Sequence, residues 1–400
     1  MIRLFVLCGV VVLAMIQIYA AIADQFSAPA PFVRASGSGF ELSGKPFRVA
    51  GVNNHYLTYG SPKEVARVLD DAVAMNANVV RIFVSPIIGS EDGSVRNVFD
   101  IKSRLDSSNL GTHGVYMASF DIESRSMHIN EGANGLIRLD FLLAECAKRQ
   151  LRLIVVFLDY WAYTGGSRQI AAWYGNKGDD HFFAEDPRAK ADYKRFVAAI
   201  VMRVNTLSGL AYRDDPTIFA WELMNEPEIQ PVSLFNSWIG EMSNYVKTLD
   251  RNHMLASGQS SIRTKLVELN FPEVDFGTWH GYPTYLNIAP EKFDSVIDEY
   301  CDLAASYRKP VILEEFGIPQ SNGGRPQIYQ KWLRKINDNP ACAGWLVWRL
   351  VSRQDNGEFP SDRHDQFDIH NDGSRVWSVL KNAAHDLVSQ RCSRTADGCN

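Results

Sequence analysis

The chain is 400 residues long, 46% apolar and 22% charged, with a formal net charge of −5. One large α/β barrel uses about this length, and the apolar fraction leaves ample material for a packed core. The acidic balance argues against nucleic acid and other polyanions, whose binders concentrate Lys and Arg. A neutral substrate fits better.

The chain opens on Arg3, an almost unbroken apolar run from Leu4 to Ile18, and the small-residue site Ala21-Ile22-Ala23. This is the layout of an export signal over residues 1–23. An uncleaved anchor is the alternative, but the run is short for a span and no later stretch approaches the ~20 apolar residues a membrane helix needs. The expected mature protein is secreted, extracellular or periplasmic. A Ser/Ala/Pro-rich leader follows over 24–39, then one domain over 40–390 and a tail over 391–400. Of the six cysteines, Cys8 leaves with the signal. The odd remainder leaves at least one thiol free or paired with another chain. Cys392 and Cys399 flank a short loop that an oxidising compartment would bridge, and Cys146, in an apolar helical stretch, reads as a buried inert thiol. No Cys/His cluster has metal-site spacing, so no structural zinc is expected.

Phe40–Leu42 and Phe47–Val52 flank Ser43-Gly44-Lys45 and read as a hairpin. Short apolar, β-prone runs then recur at Val79–Val84, Arg152–Leu158, Ile218–Leu223, His253–Ala256, Val274–Trp279, Val311–Glu315 and Gly344–Leu350. Helical periodicity fills most of the gaps: Lys63–Met75, Leu139–Arg149, Ala189–Val204, Leu234–Leu249, Pro290–Tyr307 and Pro326–Ile336, with a last helix at Val376–Leu387. Counting Phe47–Val52, this makes eight β-then-α units. Strands so short and apolar suit a parallel sheet buried on both faces, and eight such units predict a single-domain (β/α)8 TIM barrel. A doubly wound sheet is the alternative, but its Gly-rich first turn is absent. The unit over Ser261–Asn270 is the weakest. Long loops follow the second strand (Pro86–Gly132) and the third (Asp159–Pro187), on the face where barrels build their sites.

Two strand ends carry carboxylates. Asn225-Glu226-Pro227 ends the fourth strand, and Glu314-Glu315-Phe316-Gly317 ends the seventh. Paired carboxylates at one face are the requirement of glycoside hydrolysis. Strands ~4.8 Å apart and tilted by ~36° give a barrel radius near ~7.7 Å; strands four and seven then stand ~14 Å apart, and inward Glu side chains close this to roughly 6 Å. Arg81 sits inside an otherwise apolar strand, where it could hold a carboxylate ionised. His280 and Tyr282 end the sixth strand with hydrogen-bonding groups, and Trp345 and Trp348 belong to the eighth. Alternation puts these two on opposite faces, Trp345 for packing and Trp348 for the cleft. The same alternation points Glu314 away from Glu315.

At these residues the sequence resembles glycoside hydrolase family 5, and within it the endo-β-1,4-mannanases. Supporting segments are Gly51-Val52-Asn53-Asn54-His55-Tyr56, Tyr160-Trp161 with Gly165-Gly166, Tyr212-Arg213-Asp214-Asp215-Pro216-Thr217-Ile218 and Asp275-Phe276-Gly277-Thr278-Trp279-His280-Gly281-Tyr282-Pro283. The resemblance covers about Phe40 to Leu387. It implies a retaining, endo-acting enzyme on mannan, glucomannan or galactomannan, with Glu226 as acid/base and Glu315 as nucleophile. It further implies that Asn225 binds the 2-hydroxyl at the cleavage subsite, Arg81 and Tyr282 hold the nucleophile, His280 lines the same subsite, Trp348 is the sugar platform and Trp161 lines the cleft. No metal or organic cofactor is required, neither nucleic acid nor membrane is engaged after signal cleavage, and a monomer is expected. The chain departs from the mannanase pattern at Glu228, often Arg, and at Asp159-Tyr160-Trp161, elsewhere Asn-Asn-Trp. These changes keep a β-1,4-glucanase or an exo-β-mannosidase as rival activities. A catalytically silent carbohydrate-binding barrel is the non-enzymatic rival, against which both intact glutamates speak.

Overall fold

The computed structural model describes residues 31–99, 114–176, 181–261, 264–360 and 366–389. The expected export signal and the Cys392/Cys399 bridge lie outside the described residues.

Three short strands, β1 (Arg34–Ser36), β2 (Gly39–Leu42) and β3 (Lys45–Phe47), form an antiparallel sheet in chain order. β1 falls within the segment read as leader. The second hairpin arm is therefore Lys45–Phe47, and the barrel begins after it with β4 (Val49–Asn53). Arg48 separates the two: its guanidinium donates to the carbonyls of Asn337 (2.6 Å), Ile336 (2.7 Å), Asn339 (3.0 Å) and Cys342 (2.6 Å). These carbonyls lie at and beyond a helix C-terminus, where a cation is favoured.

The remaining barrel strands are β5 (Val79–Phe83), β8 (Arg152–Val156), β9 (Ile218–Glu222), β10 (Met254–Ala256), β11 (Gly277–Gly281), β12 (Val311–Phe316) and β13 (Gly344–Val347); β6 (Ala118–Asp121) and β7 (Ser126–Ile129) are a hairpin in the long second loop. The eight barrel strands are parallel neighbours in the order β10-β9-β8-β5-β4-β13-β12-β11. The seam between β10 and β11 is crossed by the bonds Asp275 N–H to Leu255 O (2.8 Å) and His280 N–H to Ser260 O (3.1 Å). Eight strands closed in this way are a (β/α)8 barrel.

Helices follow the predicted periodicity: α1 (Pro62–Ala74), α2 (Ile137–Lys148), α5 (Pro187–Val201), α6 (Val232–Leu249), α8 (Asp294–Tyr307), α9 (Arg325–Asp338) and α10 (Arg375–Ser389), while α3 (Gly166–Trp173) and α4 (Phe182–Glu185) build the third loop and α7 (Pro283–Leu286) the sixth. Their starts are written in the sequence. Ser61 and Glu64 form a reciprocal capping box ahead of α1, and Asp186 caps α5 with Pro187 at its first position,. The weak unit holds only the 3-10 turn Val267–Asn270 among its described residues.

Apolar residues divide into two cores. The larger lies between sheet and helices; the smaller fills the barrel bottom. There Phe40 and Phe47 of the hairpin meet Phe219 and Phe276, with Phe40 5.1 and 5.5 Å from the two rings. The hairpin is thus a plug at the N-terminal ends of the strands, opposite their C-terminal ends. A disulfide joins Cys301 of α8 to Cys342 ahead of β13, a pairing that cysteine spacing did not indicate; Cys146 is free and buried, and burial pushes its thiol pKa up. Among the described residues no helix is long and apolar enough to cross a membrane.

Candidate active site

The loops after β8 and β9 are laced together at the barrel top. Asn225 N–H donates to Leu158 O (2.9 Å) and Tyr160 N–H to Asn225 O (3.1 Å). This turn brings Glu226 into a left-handed backbone conformation (φ 46°), with its N–H on Gly258 O at 2.8 Å. Position 258 admits only glycine, because a Cβ would stand 2.0 Å from Met224 O and 2.3 Å from Glu222 Oε1,. At Gly166 a Cβ would meet Asp159 O at 2.2 Å, so the third loop folds tightly there and presents Trp161.

The two carboxylates converge. Oxygens of Glu226 and Glu315 and a ring nitrogen of His280 lie within 4.8 Å of one another. Tyr282 Oη donates to Glu315 Oε2 and Arg81 Nη1 to Glu315 Oε1, both at 2.5 Å. Glu226 is bonded to Trp161 Nε1 through Oε2 (2.7 Å) and to His280 Nδ1 through Oε1 (2.6 Å). His280 Nδ1 is also 3.4 Å from Glu315 Oε2, so the imidazole spans both glutamates. At 2.6 Å the His280–Glu226 contact is a hydrogen bond,. Asn225 is engaged at both ends, its Oδ1 by Arg81 Nη2 (2.8 Å) and its Nδ2 on Asp159 Oδ1 (3.0 Å). Trp348 is half-buried at the rim beside His55 and Phe83, whereas Trp345 is fully buried. All eight sequence-derived positions therefore share one face.

Two further acidic residues join them. Glu222 and Glu314 are fully buried. Glu222 takes a bidentate pair from Arg81, Nε to Oε2 at 2.9 Å and Nη2 to Oε1 at 2.5 Å. Glu314, expected to face away, instead lies 3.5 Å from both Arg81 Nε and His280 Nε2. The cause is a register shift: Trp279 pairs with Leu313 but His280 with Glu315, so Glu314 is the extra residue of a bulge. A bulge breaks alternation and turns consecutive side chains to one side. The signal that singled out Arg81, a charge inside an apolar strand, applied equally to Glu222.

Electrostatics follow from this packing. Burial disfavours a charged His280, but the charges of Glu315 and Glu226 and its bond to Glu226 prevail and lift its pKa to about 10,. Burial likewise pushes Glu226 up, yet the charge and hydrogen bond of His280, with Trp161 and Arg81, hold it below the ordinary carboxylate range. Glu315 is raised, chiefly by burial, against the charges of His280 and Arg81. Asp159 is pushed by burial to about 7.

Comparison with known proteins places the chain in a family. A family profile described as "GH family 5 beta-mannosidase-like" matches residues 30–339. The putative mannan endo-1,4-beta-mannosidase 9 of Oryza sativa subsp. japonica is 31% identical, with 97% of this chain and 96% of the relative covered. Among solved structures, the endo-1,4-beta-mannanase of Rhizomucor miehei superposes with a TM-score of 0.75 at 25% identity, covering 90% of this chain and 99% of that one. The endo-beta-1,4-mannanase of Thermotoga petrophila gives 0.73 at 29% identity, covering 87% and 78%. By its barrel, its paired strand-end glutamates and these matches, the chain belongs to glycoside hydrolase family 5, among the β-mannosidase-like proteins.

Proposed function

We propose that this protein is a retaining endo-β-1,4-mannanase acting by double displacement. The observation that carries the reading is the approach of Glu226 and Glu315 oxygens to within 4.8 Å. Retaining enzymes hold their carboxyl groups ~5–5.5 Å apart and inverting ones ~6.5–9.5 Å. In the first step Glu226 protonates the glycosidic oxygen while a Glu315 oxygen attacks the anomeric carbon, breaking the bond to the leaving sugar. In the second, water attacks that carbon, Glu226 takes its proton, and the bond to Glu315 breaks.

His280 reconciles this sequence with the resting charges. With three carboxylates around it, the imidazole carries the proton at rest, which is why Glu226 is held low. Passage from Nδ1 to Oε1 over the 2.6 Å bond arms Glu226 as an acid, and the pair titrates as a unit. Once Glu315 is esterified its charge is gone, and Glu226 next acts as the base. Arg81 and Tyr282 hold the nucleophile, Asn225 and His280 line its subsite, and Trp161 and Trp348 bound the cleft.

The substrate assignment rests on the mannanase relatives, and export on the opening signal pattern with a disulfide suited to an oxidising compartment,. The test is reducing-sugar release from wild type and Glu315→Ala on mannan, galactomannan, glucomannan and carboxymethylcellulose. Activity on the mannans that vanishes in the variant is expected. Activity chiefly on carboxymethylcellulose, which Glu228 and Asp159 keep in play, would move the substrate; none on any polymer would refute the reading.

A further inference from the structure

Under the catalytic pair lies a charge count that does not balance. Arg81 and His280 are two buried cations facing the glutamates 222, 226, 314 and 315, with Asp159 close by. Both oxygens of Glu222 are spent on Arg81. Neither oxygen of Glu314 receives a hydrogen bond, although both are shielded from solvent. The carboxyls of Glu222 and Glu314 nevertheless converge on one atom, Arg81 Nε, which stands 2.9 Å from Glu222 Oε2 and 3.5 Å from Glu314 Oε2. Two like charges buried side by side against one guanidinium nitrogen favour keeping one of them protonated. Gly258 leaves room for the Glu222 carboxyl, since a Cβ there would stand 2.3 Å from its Oε1.

We propose that Glu222 and Glu314 share one proton and act as a positioning pair that keeps Arg81 on the nucleophile, so that loss of this proton sets the alkaline limit of activity. Arg81 is the keystone: it reaches Glu222, Asn225, Asn53 and Glu315 at once. With the proton in place, one negative charge of the pair balances Arg81 and leaves Nη1 to Glu315. Without it, the two like charges on Arg81 Nε must separate, and the guanidinium moves with them. Other groups face the pair from every side: Glu315 beside Glu314 on β12, His280 from β11, Glu226 and Asn225 beyond β9, and the Tyr193 phenol of α5 behind Glu222. Burial, with the charge of Glu314 and against that of Arg81, lifts the Glu222 carboxyl to about 8, while Arg81 and His280 outweigh burial and hold Glu314 below its usual range.

The proposal rests on the hydrolase reading, and two readouts separate their failures. The first is kcat against pH from 5 to 10 for wild type, Glu222→Gln, Glu314→Gln and the double variant, on a β-1,4-mannohexaose. Either amide removes the shared proton, so each single variant should lose less than tenfold at its optimum and extend the alkaline limb upward by at least one pH unit. The double variant strips Arg81 of its counter-charge and should lose more than the product of the singles. The second readout needs no activity. A carboxyl raised to about 8 in the fold binds its proton more tightly there than in the unfolded chain, so its stabilising effect is complete at low pH and lost as pH rises through 8. The Tm of Glu222→Gln minus that of wild type should therefore grow between pH 5 and 9. Unmoved alkaline limbs together with a pH-independent Tm difference would overturn the proposal. So would failure of both single variants to fold, since an isosteric amide must be tolerated; if only one folds, it carries the test. A wild type inactive on mannohexaose would refute the mannan specificity, leaving the Tm series to decide on the proton.

Discussion

Tyr282→Phe removes one oxygen and little else. The ring stays stacked on Phe367, with centroids 5.3 Å apart and planes 12° from parallel, so its packing should be preserved. What is lost is the 2.5 Å bond from the phenol to Glu315 Oε2. A hydrogen bond to a charged group contributes about 1.5–3 kcal/mol, and tenfold in rate corresponds to about 1.4 kcal/mol. A fall in kcat/KM of about ten- to a hundredfold is expected. The phenol favours the ionised nucleophile, so its removal raises the Glu315 pKa further, and the acid limb of the kcat/KM profile should move up by about one to two pH units. Steady-state rates on mannohexaose across pH 4–9 read both numbers. A variant with kcat/KM within twofold of wild type and an unmoved acid limb would refute the role given to Tyr282.

Glu226→Ala should be nearly inactive on polysaccharide yet keep forming the glycosyl-enzyme from an aryl β-mannoside with a good leaving group; added azide should then release a β-glycosyl azide, detected by mass spectrometry, and its absence would remove Glu226 from the acid/base role. Replacing Cys301 and Cys342 by Ala opens a loop of 41 residues in sequence separation, which corresponds to about 4 kcal/mol of denatured-state entropy. Denaturant unfolding should show a loss of that order, with kcat at 25 °C little changed, whereas a loss under 1 kcal/mol would contradict the estimate. Phe40→Ala empties the barrel-bottom plug and should cost about 3–5 kcal/mol of stability while leaving kcat within twofold, because the hairpin lies at the end away from the catalytic face.

The barrel was legible because strands buried on both faces must read as apolar runs, and such runs recur at helix-sized intervals. Glu226, Glu315 and Arg81 stood out for the same reason in reverse: each is a charge where apolar burial should exclude one. The hairpin boundary was misplaced because nothing local marks Arg48 as a cap for carbonyls some 290 residues away in sequence. Glu314 was turned the wrong way because a bulge is a property of the pairing between β11 and β12, and alternation is read from one strand alone. The Cys301–Cys342 bridge depends on the helix layer meeting β13, which no cysteine spacing encodes. Trp161 was placed in the cleft, but its bond to Glu226 emerges only once the third loop folds at Gly166.

The most direct test of double displacement by Glu226 and Glu315 is proton NMR of the first products released from mannohexaose. Closely approached carboxylates acting through a covalent intermediate predict that the new reducing end appears first as the β-anomer and then mutarotates. An initial α-anomer would mean inversion through an intervening water, and would contradict the account.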